Sequence, residues 1–587
     1  MTFVKRMSVL LTLLLGLAAC NIQDSRPDTL PGMTATTAVS QTTASANTST
    51  PATDTPIPPT TQPTAIPPTL TPTATAVPPD LAIESTNIFL YPYPTIYSGD
   101  RVTFQVLPFV PDTLNPGNVN VLVSVNGQPM ASGTLTGRNL SGQASGLFEW
   151  AWDTSEFIGP QEVAILLDPE DRIQIGDEDP ANNIVSLAVN ILPETALPDL
   201  EADAAWVTAE NDCCRVHAIS GTAAYRDLPQ LLRTIDTAVQ QASSTVHTTL
   251  GDKIDIYLID RVIGQGGYAA SAIVISYLDR QYSGRGLSEV VTHETVHILD
   301  RQFAPQRITF MAEGLAVWAT GGHYKPEDID HRASALVEMG AYIPLAQLID
   351  NFYPVQHEIG YLEAAAFVKF MVERDGWERF KAFYSDVTAD DAPLLSEAVD
   401  LNLQIYYGRS LAELEQEWQD YLLQKPPSKD DIDDLQTTLR YYDLMRRYQL
   451  EYDPTAYFLT AWLPYPQDVL DKGNPADFTR HPQEEINVVL EVMFQGVDEA
   501  LRDADYGRAN GLLDSITRVM DNDGAFLDPL GINYQHIVQK ATQLGFEVQQ
   551  VTISGDTAVA TVTAPQNTNL IHWNLALKGQ NWIILSN

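Results

Sequence analysis

Cysteine is nearly missing from this chain: among 587 residues only Cys20, Cys213 and Cys214 occur. No disulfide framework can therefore carry the fold, and each domain must bury a core of its own. The adjacent pair can bridge only with a distorted backbone, and the sequence leaves the bridged and free states both open. Positive charge is scarce as well. Lys and Arg total 34 against 75 Asp and Glu, a formal net charge of −41; such a field repels phosphate, which excludes a nucleic-acid partner. After the N-terminal segment no apolar run approaches the roughly eighteen or more residues of a transmembrane helix. At this length several domains of roughly 100 to 200 residues each are expected.

At the N-terminus, Lys5 and Arg6 precede an apolar run from Met7 to Ala19, the length of a signal h-region and too short to span a bilayer comfortably. It ends in Leu17-Ala18-Ala19-Cys20, which resembles the lipobox of lipoprotein signal peptides. The resemblance implies cleavage before Cys20, acylation of that cysteine, and an extracytoplasmic chain held in the cell envelope by a lipid anchor on the outer face of the membrane. Residues 21–80 collapse to Thr, Pro, Ala and Ser. Such a composition builds no core, and its prolines stiffen it toward an extended stalk.

Over residues 81–194 the period changes to two, as in Arg101-Val-Thr-Phe-Gln-Val-Leu107 and Val119-Asn-Val-Leu-Val-Ser-Val125, the latter followed by the turn pair Asn126-Gly127. Strands at short intervals without helical pattern predict an all-β immunoglobulin-like sandwich. The stretch Gly176-Asp-Glu-Asp-Pro-Ala-Asn-Asn183, leading into Ile184-Val-Ser-Leu-Ala-Val189, resembles the CARDB-type adhesion modules of exported proteins, which implies a cell-surface partner for this domain. Its acidic run suggests calcium, but the spacing fits no known calcium loop; the expectation is a polar turn between strands.

Residues 195–424 predict an α+β, mainly helical domain. A helix over 228–250 and strands over 253–259 and 270–277 come first, with Gly264-Gln-Gly-Gly267 between the strands. No P-loop lysine follows these glycines, so they are read as a flexible connection. Residues 425–480 read as a helical connector, whose Asp430, Asp431, Asp433 and Asp434 suit a helix N-terminus. In 481–587 helices precede strands over 546–553, 557–563, 570–577 and 582–585, an α+β domain. In pattern it looks like the nuclear-transport-factor-two-like fold, and no active site is carried over from that likeness.

The chemistry concentrates in Glu289-Val-Val-Thr-His293-Glu294-Thr-Val-His297-Ile-Leu-Asp300. On a helix, residues four apart share a face, so His293 and His297 can converge on one Zn2+. Glu294, about 100 degrees around from the first histidine, falls where a carboxylate can take a proton from water at the metal.

Downstream stands Phe310-Met-Ala-Glu313-Gly-Leu-Ala316. With the His-Glu-x-x-His helix this resembles the gluzincin zinc metallopeptidases, specifically the bacterial group with a Glu-Gly-Leu-Ala signature. The resemblance implies that Glu313 is the third metal ligand and that a fourth position is left for water. It extends through Gly360-Tyr-Leu-Glu-Ala-Ala-Ala-Phe-Val-Lys-Phe370 to Leu411-Ala-Glu-Leu-Glu-Gln-Glu-Trp418. Tyr361 is the candidate oxyanion donor in this frame, with His357 as its competitor. Many gluzincins carry an acid where this chain has Val317, so Asp300 is the candidate to orient a histidine. The strand ending at Tyr277 is expected to pair with an extended peptide. No Gly-x-Met-Glu-Asn amine anchor lies upstream, which favours an endopeptidase acting on peptide or protein substrates. The alternative is a catalytically silent zinc-site lipoprotein that binds a cell-wall or extracellular partner, and the intact Glu294 speaks against it. The boundary at 424 implies a metallopeptidase unit that folds and holds zinc by itself.

Overall fold

The computed structural model describes residues 80–586, apart from 112, 139–143, 261–263, 265, 282–285, 324, 354, 457–479, 481 and 565–566. Cys20, the lipobox and all but the last residue of the stalk lie outside the described residues. Among these residues no helix is long and apolar enough to cross a membrane.

The first domain holds β1 (Ile88–Tyr91), β2 (Ile96–Tyr97), β3 (Arg101–Val106), β4 (Asn120–Val125), β5 (Gln128–Thr134), β6 (Thr136–Arg138), β7 (Ala144–Asp153), β8 (Gly159–Leu167) and β9 (Ile184–Leu192). One sheet runs β1-β3-β7-β6 and the other β2-β9-β8-β4-β5. Val121, Val123 and Val125 of β4 are buried and the residues between them half exposed, the alternation a two-layer core demands. Asn126 and Gly127 both take positive φ, 49° and 77°, which closes the β4–β5 hairpin in two residues. The acidic run is a turn. Asp179 caps Ala181 N at 3.2 Å and Asn183 Nδ2 donates to Asp177 Oδ2 at 2.8 Å.

The second domain opens with α1 (Asp199–Ala202), β10 (Trp206–Glu210), β11 (Cys214–Ile219), α2 (Ala223–Thr245), β12 (Ile254–Ile259), β13 (Gly267–Ala269) and β14 (Ile273–Ser276). Cys213 and Cys214 are bonded to each other. The sheet order β10-β11-β12-β14-β13 corrects two expectations. The strand ending near Tyr277 is not free to receive a peptide, because β14 is paired on both sides; the edge is β13. Nor is the glycine cluster merely a loose connection, since Gly267 begins β13, where a Cβ would sit 2.7 Å from Val274 O.

Helices follow: α3 (Leu287–Asp300), α4 (Thr309–Thr320), α5 (Ile329–Met339), α6 (Leu345–Asp350), α7 (His357–Asp375), α8 (Trp377–Asp386), α9 (Leu395–Tyr407), α10 (Leu411–Leu422) and α11 (Lys429–Tyr452). At the crossing of α4 and α7 only glycine fits. A Cβ on Gly314 would stand 2.5 Å from Ala364 O and 2.9 Å from Val368 Cγ2, so the residue after Glu313 sets how closely the two helices pack. α11 is not a bare connector. Arg332 of α5, 2% exposed, is met by Asp434 of α11 as well as by Glu327 at 2.8 Å and Glu358 at 2.7 Å.

The last domain comprises α12 (Glu485–Arg502), α13 (Tyr506–Asp521), α14 (Pro529–Gln543), β15 (Glu547–Ser554), β16 (Thr557–Ala564), β17 (Asn567–Lys578) and β18 (Asn581–Ser586). The strands form an antiparallel meander, β15-β16-β17-β18. Buried Arg280 from the second domain pairs with Glu491 at 2.7 Å and with Glu547, and Arg226 donates to Thr568 O at 2.8 Å.

Candidate metal centre

α3 and α4 bring the predicted residues together. His293 and His297 lie one turn apart on α3, so both rings leave the same face. α4 returns Glu313 to them. His293 Nε2 is 3.2 Å from His297 Nε2, and Glu313 Oε2 is 3.1 Å from the first and 3.3 Å from the second. A tetrahedral zinc with bonds of about 2.0–2.2 Å sets its ligand atoms about 3.3–3.6 Å apart. The triangle of two nitrogens and one carboxylate oxygen fits that ion.

The electrostatics agree with the geometry. Burial alone would raise Glu313, but His297 and His293 outweigh it and hold the carboxyl well below its usual range. Burial opposes the charge on His293 too, and there the hydrogen bond to Glu313 prevails, so this imidazole is raised. His297 goes the other way, down to about 4, because burial dominates; its Nδ1 has no hydrogen-bond partner. His297 is held neutral, the form that binds a metal, and an ion entering the triangle would displace any proton shared between His293 and Glu313. Glu294 lies beside the cluster, 5% exposed, with its Oε2 unpartnered. Burial pushes its carboxyl up to about 7, with His293 opposing and Glu313 adding.

The other candidates surround this triangle. Tyr361, half-buried on α7, stands with its ring 6.3 Å from that of His293 and stacked on His323 at 4.4 Å. His357 starts α7, 4.6 Å from the Tyr361 ring; burial, with Arg446 and His323 adding, holds its imidazole well below the usual range. Asp300 does not orient a ligand histidine. It accepts from Tyr384 at 2.7 Å and pairs with Arg307 at 2.9 Å, so it ties α3 to α8 instead.

Two neighbours were not anticipated. Tyr353, in the turn before α7, donates its hydroxyl to Glu313 Oε1 at 3.0 Å. His323, just past the left-handed Gly321 that ends α4, meets Glu358 Oε2 through Nδ1 at 2.6 Å. The faint signals in sequence were an aromatic pair, Phe352-Tyr353, before the third helix, and a histidine directly after a glycine helix stop.

No family of known proteins matches the sequence, and no curated protein matches it. Solved structures give slight likenesses. An M1 zinc metallopeptidase from Deinococcus radiodurans is 13% identical, covering 57% of this chain and 92% of its own, with a TM-score of 0.29. Yeast LTA4 hydrolase is 14% identical over 79% of this chain and 87% of its own, at 0.30. The CARDB domain of a Pyrococcus furiosus protein is 13% identical over 18% of this chain and 94% of its own, at 0.15. Likenesses this weak carry no chemistry to the chain; the side chains described above must do so.

Proposed function

We propose that this chain is a zinc-dependent peptidase of the gluzincin type, in which His293, His297 and Glu313 hold the ion and Glu294 is the general base. The observation that carries this reading is the triangle of 3.1, 3.2 and 3.3 Å sides with a buried carboxylate beside it whose Oε2 has no partner. A zinc ion bound there would supply the Lewis acidity that lowers the pKa of water toward about 7 and polarises the scissile carbonyl. Glu294 would take the proton of the attacking water and return it to the leaving amine. Tyr361 or His357 donates to the carbonyl oxygen as it gains charge.

The missing amine anchor supports endopeptidase action. Incubating the full chain with a peptide library blocked at every N-terminus tests it. Cleavage that a chelator abolishes and zinc restores is the expected result; cleavage of unblocked peptides alone would mark an aminopeptidase, and no cleavage would leave the silent-site alternative.

The lipobox supports a mature chain that starts at Cys20, is anchored by acylation and faces the outside of the cell, and the sequence resemblance of residues 176–189 to adhesion modules supports a cell-surface partner for the first domain. Mass spectrometry of the native N-terminus checks the anchor, since an unmodified residue there removes it. The order of helices and then a meander supports a nuclear-transport-factor-two-like reading of the last domain, and we assign it no activity.

A further inference from the structure

The two oxygens of Glu313 are not equivalent. Oε2 faces the histidine nitrogens at 3.1 and 3.3 Å, whereas Oε1 accepts the Tyr353 hydroxyl at 3.0 Å. The loop that delivers Tyr353 is registered on the same helix that carries the ligand. Phe352 is buried and packs edge-on against Phe310 with ring centres 6.3 Å apart. Phe310 precedes Glu313 by three residues, so the two share a face of α4. Phe352 also touches Tyr353, at 5.3 Å, and Tyr361, at 5.2 Å. The aromatic pair therefore clips the turn before α7 onto α4 at the height of the carboxylate.

We propose that Tyr353 is a positioning residue for the third metal ligand. Its hydrogen bond occupies Oε1, which leaves Oε2 as the oxygen to coordinate and keeps the carboxylate monodentate. A monodentate carboxylate beside two imidazoles leaves room for water, the arrangement a hydrolytic zinc site needs. The inference rests on the reading of His293, His297 and Glu313 as a zinc site. It adds a residue that touches neither the ion nor the substrate and acts by fixing a ligand, as hydrogen bonds to metal-bound carboxylates do.

The test is Tyr353→Phe in the full chain, a change that keeps the ring and its packing and removes only the hydroxyl. Zinc affinity is measured by competition with a chromophoric chelator, and the visible spectrum is recorded with Co2+ in place of zinc. The expected results are a zinc affinity lower by about 10- to 100-fold and a weaker, shifted cobalt band, because a carboxylate freed to use both oxygens raises the coordination number. Tyr225→Phe, an exposed tyrosine of α2 away from the site, run in parallel, is expected to leave both unchanged. Should wild type take up no zinc, the reading of the site falls, and the inference with it. Should wild type bind zinc while Tyr353→Phe matches it in affinity and spectrum, the inference alone is overturned. Lost turnover with unchanged affinity and spectrum overturns it as well, and places the hydroxyl on the substrate.

Discussion

Glu294 and Glu313 share one buried pocket, yet their surroundings drive them apart. Two imidazoles hold Glu313 ionised, while burial pushes Glu294 up to about 7. A pair of carboxyls separated in this way has separate tasks, one binding charge and one moving a proton. Glu294→Gln should keep the metal and lose about 10²- to 10⁴-fold in turnover, the worth of a positioned base. Glu313→Gln should lose the metal itself. Metal content and peptide cleavage measured on both variants decide the matter, and a Glu294→Gln protein that loses zinc while Glu313→Gln keeps it would reverse the two roles. The histidines and Glu294 were legible in sequence because a helix encodes their geometry in a four-residue spacing. Tyr353 and His323 were not, because their approach depends on how two loops turn back, which no local period records.

At the scale of elements, the long helices announce themselves, and so do the hairpins of the first domain and the closing meander. β10, β11 and the edge strand β13 do not. They are short, and residues such as Arg215 and His217 break the apolar pattern because they are engaged across the sheet with Asp255, His217 Nε2 at 2.9 Å. The glycine of the Glu-Gly-Leu-Ala run gains a physical meaning only from the structure. Gly314→Ala drives a methyl to within 2.5 Å of the Ala364 carbonyl oxygen, a backbone atom that cannot swing aside. A loss of about 1–3 kcal/mol is expected from such overpacking, seen as a lower melting temperature and weakened zinc binding as α4 is pushed off α7; an unchanged melt would show that the helices have room. α7 also carries Glu363, wholly buried, whose carboxyl burial pushes up to about 9, the Ile343 N–H opposing and Glu415 adding. Below its unfolded value, near 4.5, the group is protonated in both states. Above that, unfolding releases a proton, so stability falls as pH rises toward about 9. Glu363→Gln removes the titration and keeps the acceptor for Ile343. It should melt higher than wild type at pH 8 to 9 and about level with it at pH 4 to 5. An equal difference at both ends would mean that Glu363 does not titrate in this way.

Across the whole molecule, the domains are bound by buried charge rather than by loose linkers. Arg280 reaches Glu491 and Glu547 of the last domain, and Arg480 reaches back to Asp100 in the first. The boundary expected at 424 is crossed by contacts of the same kind. Asp434, ten residues beyond it, meets both Arg332 and Lys325; Arg332 pairs with Glu358, Glu358 holds His323, and His323 stacks on Tyr361. Tyr442 of α11 closes the same group at 5.7 Å from His323 and 5.1 Å from His357. A run of aspartates at a helix start reads as a solvated first turn, and Ser428 with Asp431 does form that cap. Nothing local marks Asp434 as the one that turns inward. Asp434→Ala strips one acid from a buried charged cluster in which Arg332 keeps Glu327 and Glu358, so the loss should fall below the about 3–5 kcal/mol of a buried pair broken outright. Asp434→Asn keeps an acceptor oxygen and should cost less. A fragment of 195–424 loses Asp434 and Tyr442 together, and should neither melt cooperatively nor retain zinc, whereas the full chain should do both. Melting curves and metal content of the two single variants and the fragment provide the check. A fragment that melts sharply with zinc bound would show that α11 is a connector after all, and that the charges it buries hold nothing together.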